Sequence, residues 1–309
     1  MEILFILLVA LAIDIVFGEP SNSWHPVAWM GKLISMEIRS VHRGGRLRQL
    51  VSGIGMVLVM IGVLAAPVYF LLFYLKELNL VAYVIVAGII FKFTFSIRGL
   101  RQAATAIKQL LVQDKLAEAR ISLMSLVSRD TSCLSEDQVV SATVESVAEN
   151  SCDSFVAPLF YFLLFSVPGA VVYRVINTFD AMIGFHGEWE HLGKFAARFD
   201  DVVNFIPARL TALMIVLAAW ICKRNVLQAW RVMLRDHGKT ESPNAGWTMG
   251  AVAGALGVQL EKEGHYKLGD NNSCLYLDTV SASLHLIMVV AVIWSSLSIL
   301  FVGVYIAAT

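Results

Sequence analysis

Charge is scarce in this chain. Only 16% of its 309 residues are Asp, Glu, Lys or Arg, against about 25% in an ordinary soluble domain. The 24 basic and 24 acidic side chains cancel, and no dense basic stripe exists, which argues against nucleic acid as a partner. Four scattered cysteines, Cys133, Cys152, Cys222 and Cys274, contain no Cys-x-x-Cys pair. That excludes a zinc ribbon or thioredoxin-like site and predicts free thiols in a reducing compartment. No Gly-x-x-x-x-Gly-Lys-Ser/Thr loop, Gly-x-Gly-x-x-Gly turn, His-Glu-x-x-His helix or Gly-x-Ser-x-Gly elbow occurs. Standard nucleotide folds, zincins and α/β-hydrolases are thereby disfavoured, and no haem, zinc or flavin is expected. Internal repeats and low-complexity segments are missing too. The N-terminus has no basic n-region and no small-x-small cleavage site, so Ile3 to Phe17 reads as retained.

What the chain has is apolar length. It is 57% hydrophobic, with mean hydropathy +0.69. About 20 apolar residues span a bilayer as a helix. Val51–Leu75, Leu80–Phe95, Pro207–Cys222 and Val280–Ala308 are predicted to do so. Glu2–Phe17 carries Asp14, and Phe155–Ile176 is interrupted by Pro168-Gly169, so both are doubtful as spans. The second predicts a re-entrant hairpin, tolerated only where protein or water lines the break. Gly- and Ala-rich Ala245–Leu260 predicts either a second one or a span packed through small residues. Leu100, Ala104, Ile107, Leu110 and Leu111 give residues 98–127 an amphipathic helical stripe. The fold class is therefore all-α: a polytopic membrane helical bundle with broken or re-entrant segments, as one integral domain over 1–309.

Short loops rich in Lys and Arg face the cytoplasm. Arg39, Arg43, Arg46 and Arg48 mark one; Arg98, Arg101, Lys108, Lys115 and Arg120 a second; Lys223, Arg224, Arg231 and Arg235 a third. Counting every apolar segment as a crossing places 178–206 outside, unless the Pro168-Gly169 segment does not cross or 178–206 folds back into a cavity reachable from inside.

Polar residues are concentrated in 129–211, between segments fit for lipid, where they are costly and usually functional. Ser135 and Gln138 predict a capping box opening a helix to about Asn150. Glu145 and Glu149 then stand four apart on one face, joined by Asp153 if the helix continues. Hard oxygen ligands with few histidines suit Mg²⁺; a solvated acidic face is the alternative. Asn177 with Asp180, and Asp201 with Asn204, each place a carboxylate and an amide three apart, and Asp200-Asp201 turns at least one carboxylate inward. Arg129, Arg174, Arg198 and Arg209 bracket these acids with planar forks suited to carboxylate or phosphate.

Ordered strings then carry a resemblance. They are Asp14 with Gly18-Glu19-Pro20; His25-Pro26-Val27; Arg129-Asp130-Thr131-Ser132; Val144-Glu145-Ser146-Val147-Ala148-Glu149-Asn150; and Val156-Ala157-Pro158-Leu159-Phe160-Tyr161. There follow Pro168-Gly169-Ala170, Asn177-Thr178-Phe179-Asp180-Ala181-Met182-Ile183-Gly184, Asp200-Asp201-Val202-Val203-Asn204, Pro207-Ala208-Arg209-Leu210-Thr211 and Ser242-Pro243-Asn244-Ala245-Gly246-Trp247. From residue 14 to about 270 the chain resembles the CobD/CbiB family of cobalamin biosynthesis, the adenosylcobinamide-phosphate synthases. It departs from the family's usual Gly at Ser154 and usual Tyr at Phe185.

The resemblance implies a multi-pass inner-membrane enzyme with its site reachable from the cytoplasm. It would join adenosylcobyric acid to (R)-1-amino-2-propanol or its O-phosphate, after activation of the acid by ATP and Mg²⁺. On that footing Glu145, Glu149, Asp153 and Asp180 are expected to hold the metal. Arg129, Arg174, Arg198, Arg209, His25, Asn177 and Asn244 are expected to bind substrate or phosphate. Glu145, Arg129, Asp201 and Asn204 are expected in catalysis, the last two orienting the amine or acting as base. Partners would be the corrinoid and aminopropanol substrates, the lipid bilayer, and other corrinoid-pathway enzymes or a second copy. A transporter, or an AmpE-like membrane accessory or sensor protein, is the rival reading. A transporter would show two related halves.

Overall fold

The computed structural model describes residues 1–21, 23–40, 45–184 and 189–308; Arg43 and Phe185 lie outside the described residues. In chain order the helices are α1 (Glu2–Val16), α2 (Pro26–Ser40), α3 (Arg46–Leu78), α4 (Leu80–Lys92), α5 (Ile97–Val112), α6 (Leu116–Leu123) and α7 (Glu136–Ser151). A π-helical turn, Cys152–Val156, leads into α8 (Ala157–Ile183), followed by α9 (Glu190–Val203), α10 (Phe205–Ile221), α11 (Val226–Asp236) and α12 (Ala245–Leu256). A hairpin of β1 (Gln259–Lys262) and β2 (Tyr266–Gly269) precedes α13 (Leu277–Ala308). Its antiparallel register pairs Leu260 with Leu268 and Lys262 with Tyr266.

Among the described residues, four helical segments are long and apolar enough to cross a membrane: Arg46–Leu78, Leu80–Val112, Glu136–Ile183 and Leu277–Ala308. A fifth arises only if the bent pair α9 and α10 counts as one. Most of α3 is unburied despite its apolarity, with Leu58, Val59, Val63, Phe70 and Phe73 exposed. That is the surface a lipid-facing helix presents. The 15 residues of α1 reach about 22 Å at 1.5 Å per residue, short of a ~30 Å hydrocarbon core.

The Glu136–Ile183 segment is not one straight rod. Phe165 (φ −132°, ψ 16°) and Ser166 (φ 59°, ψ −161°) leave the helical region. The arm beyond folds back: a Cβ on Gly169 would stand 2.9 Å from the Tyr161 carbonyl oxygen, although eight residues of straight helix would separate the two by about 12 Å. The Tyr161 and Tyr173 rings stack 5.3 Å apart across the break. The broken segment is thus present, but the break precedes Pro168-Gly169. Pro168 instead sits in the first turn of the second arm, where a missing N–H costs no helical hydrogen bond.

The chain divides into two compact units, Met1–Ser96 with Ala157–Val203 and Leu297–Thr309, and Ile97–Val156 with Asn204–Ser296. In the first, α1 packs on α4, and α3 packs on α4, α8 and α9. Ile34, Val57, Phe179, Ile183 and Leu192 form its buried core.

In the second unit α12 lies at the centre, against α7, α10, α11 and the hairpin. Ten of its residues are buried, so the small-residue segment is a core helix; its 12 residues cannot span. Gly246, Gly250 and Gly254 form one face. A Cβ on Gly254 would meet the Gln228 carbonyl oxygen at 2.4 Å, and one on Gly246 the His237 carbonyl oxygen at 2.2 Å. Ala104, Ile107 and Leu111 of α5 are buried, as the amphipathic stripe predicts.

Candidate functional site

The capping box forms as predicted. Gln138 N donates to Ser135 Oγ at 3.3 Å, and Ser135 N to Gln138 Oε1 at 2.8 Å. Starting the helix there fixes which side chains face inward, and residues 139–148 of α7 are all buried. Glu145 is among them, 5% exposed. Its carboxylate accepts from Ser141 Oγ at 2.7 Å, Tyr266 Oη at 3.0 Å and, more weakly, Arg129 Nη2 at 3.4 Å. Ser141 Oγ in turn accepts the backbone N–H of Glu261 on β1 at 2.9 Å. Burial, then the charge of Glu145, pushes the Tyr266 phenol far above its ordinary value. Tyr266 therefore stays protonated and remains a donor.

Glu149, one turn on, is exposed. Asp153 falls in the π-helical turn, whose i→i+5 bonding departs from the regular four-residue repeat. The second unit also holds Arg209, whose guanidinium lies 3.5 Å from the centroid of Phe205 and 4.8 Å from that of Trp247. Its Nη1 donates to Asn244 Oδ1 at 3.2 Å and to the Phe205 carbonyl. Asn204 is 2% exposed and accepts from Cys152 Sγ at 3.8 Å.

The remaining candidates belong to the first unit. Arg174 donates from Nε and Nη2 to the Thr94 carbonyl and from Nη1 to Asn177 Oδ1 at 3.0 Å. Asn177 Nδ2 reaches Asp200 Oδ1 at 3.4 Å. Much of this arginine's fork thus ties off the end of α4. Arg198 pairs with Asp201 at 3.1 Å on the exposed side of α9. Asp201 and Asn204 do not share a helical face, because α9 stops at Val203 and α10 begins at Phe205. The Asp180 carboxylate lies over Gly184, with Oδ1 1.9 Å from where a Cβ would stand. His25 accepts the Val27 N–H at Nδ1 (3.2 Å), so its proton sits on Nε2, which donates to Glu19 at 2.6 Å.

Among the described residues, no group of three or more His, Cys, Asp or Glu side chains is placed to hold a metal ion. A cage built from protein carboxylates alone therefore does not fit this arrangement. Four free cysteines are found; Cys133 and Cys274 are exposed and Cys152 is buried.

Sequence reasoning misses several residues. Tyr266 lies 121 positions from Glu145, and only the short Glu263-Gly264 turn hints at its hairpin. Lys92 is 1% exposed and meets Asp14 at 3.2 Å and Glu19 at 2.5 Å; a charge inside an apolar run is the signal that marks it. Asp236 is fully buried, held by Arg235, by Lys239 at 2.5 Å and by the Gly269 N–H at 2.8 Å. Burial pushes its carboxyl up, but these donors outweigh burial and hold it at about 2.

Comparison with known proteins gives the family. The chain is 55% identical, over 97% of both sequences, to the cobalamin biosynthesis protein CobD of Dehalococcoides mccartyi. It is 42% identical over 86% of both to the probable cobalamin biosynthesis protein CobD of Methanothermobacter thermautotrophicus. To the cobalamin biosynthesis protein CbiB of Salmonella typhi it is 35% identical, covering 91% of this chain and 92% of that one. No solved structure matches. The family model described as CobD/Cbib protein matches residues 7–298, and the chain belongs to that family.

Proposed function

We propose that this chain acts in cobalamin biosynthesis as the membrane ligase that joins adenosylcobyric acid to (R)-1-amino-2-propanol or its O-phosphate through an amide bond. Membership of a family whose curated relatives are named for that pathway supports the role. The site observation that carries the chemistry is the part-buried Arg129–Glu145 pair, whose carboxylate stands on the helix that bears the family's acidic string.

Amide formation needs an activated acid, because a carboxylate repels a nucleophile and offers no leaving group. ATP would supply that activation by placing a phosphoryl group on the carboxylate, leaving as phosphate when the amine attacks. Mg²⁺ usually takes one or two carboxylates and completes its shell with phosphate oxygens and water. That donor set fits here: the metal would come with the nucleotide, and exposed Glu149 with half-buried Asp153 would hold it. Arg129 and Arg209 would bind phosphate oxygens and offset developing charge. The pairing of Arg209 with Asn244, and its place over two rings, restrict its guanidinium plane.

The test is a purified-protein assay with adenosylcobyric acid, aminopropanol phosphate, ATP and Mg²⁺, read by mass spectrometry for the amide product. Product is expected. Its failure to form, where an established synthase makes it under the same conditions, would overturn the assignment. Arg129→Lys is expected to lower kcat/KM about tenfold or more, since a point charge does not replace a planar fork. An unchanged rate would remove Arg129 from the site.

A further inference from the structure

The guanidinium of Arg129 is incompletely bonded. Nη2 donates to Glu145 at 3.4 Å, but Nε is buried with no hydrogen-bond partner among the described residues. A buried donor left unmade is costly, so an acceptor belongs there. Glu145 is the opposite case. Two oxygens already take three donors, which suits a carboxylate that orients a neighbour better than one awaiting a metal.

Both strands of the hairpin hold that carboxylate. From β2, Tyr266 donates to Oε2, the same oxygen that Arg129 approaches. From β1, the Glu261 N–H fixes Ser141 Oγ, which donates to Oε1. At the turn, Gln138 Nε2 donates to Glu263 at 3.1 Å, pinning the hairpin to the start of α7. Each carboxylate oxygen is thus set by a different strand.

We propose that the β1–β2 hairpin, acting through Glu145, presents Arg129 to a phosphate group of a substrate. Tyr266 and Ser141 are positioning residues, and Arg129 is the group that touches the anion. This rests on the ligase reading above, and it assigns Glu145 to orientation rather than to metal binding. Two substrates of that reaction carry phosphate, the nucleotide and the phosphorylated amine, and the chemistry of capture is the same for both.

The test uses the intact protein in detergent, with Tyr266→Phe, Glu145→Gln and the double variant. Michaelis constants are measured separately for ATP, aminopropanol phosphate and unphosphorylated aminopropanol. Tyr266→Phe is expected to raise KM about tenfold for one phosphorylated substrate, the effect of loosening one hydrogen bond to a charged group. The constant for unphosphorylated aminopropanol stays unchanged. Whichever phosphorylated substrate responds identifies the anion. Because Tyr266 acts through Glu145, adding Tyr266→Phe to Glu145→Gln should cost nothing further. Unchanged constants in Tyr266→Phe, or losses that multiply in the double variant, overturn the proposal. If Tyr266→Phe does not fold, Ser141→Ala carries the same comparison. Absence of product from the wild-type protein would sink the ligase reading; product from the wild type with an indifferent Tyr266 sinks only this inference.

Discussion

Lys92 shows what a single residue contributes in this chain. It sits almost fully buried between Asp14 and Glu19, and Glu19 also accepts a hydrogen bond from His25 Nε2. Removing one partner from a buried charge group leaves the others uncompensated, at about 3–5 kcal/mol. Lys92→Met is therefore expected to cost that much in a melt of the detergent-solubilised protein, and Asp14→Asn added to it should recover part. An unchanged melting temperature would mean the group contributes nothing to stability. The same network sets an acid limit. Burial pushes the Glu19 carboxyl up, but hydrogen bonds from His25 and Lys92 outweigh it and hold the group at about 2, below its ordinary 4.5. The stabilisation is full above pH 4.5 and disappears as the pH falls towards 2. Glu19→Gln should flatten the fall of melting temperature across that window; an equally steep fall would place the acid lability elsewhere. Asp14 is visible in the sequence as a charge on an apolar helix. Lys92 carries the same mark, a charge within the Leu80–Phe95 run; that the two meet is not visible, because nothing in the sequence pairs residues so far apart.

At the scale of elements, two places put backbone geometry against side-chain type. Ser166 adopts φ 59°, ψ −161°, a conformation essentially reserved for glycine and costing about 1–3 kcal/mol in other residues. Ser166→Gly is expected to raise the melting temperature by a few degrees. A fall would show that the serine side chain is needed at the bend. On α12 the reverse holds: Gly254 lets the helix approach the Gln228 carbonyl. Gly254→Ala should overpack that contact by about 1–3 kcal/mol, again read by melting. These two cases mark the limit of legibility. The sequence reveals that 155–176 breaks, because proline and glycine are strong punctuation. It misplaces the break, because proline is equally at home in the first turn of the next arm, and no residue type announces Ser166. The capping box of α7 is legible because its partners lie three residues apart. The hairpin that orients Glu145 is not, because two four-residue strands leave too short an alternation to stand out in an apolar chain.

At the scale of the whole molecule, the number of crossings decides from which side the polar segments are reached. Treating every apolar run as a span puts residues 178–206 outside the cell, away from nucleotide. The folded-back arm at Ser166 removes one crossing. On its own α10, with 17 residues, reaches about 25 Å against a ~30 Å hydrocarbon core, and it contributes a crossing only if the bent pair α9 and α10 counts as one. Once α8 turns back, the basic loops around Arg98–Arg120 and Lys223–Arg235 stay on one side, as the positive-inside rule requires, only if α10 does not cross either. A cysteine at exposed Glu190 reports this directly, in a background where exposed Cys133 and Cys274 are serine. It should react with a membrane-impermeant maleimide in inside-out vesicles and stay unlabelled in right-side-out ones. Labelling only in right-side-out vesicles would mean that α8 crosses after all. In that case Asp180 and Asp200 would face away from the side on which the proposed ATP is found, and neither could take part in the proposed activation of the acid.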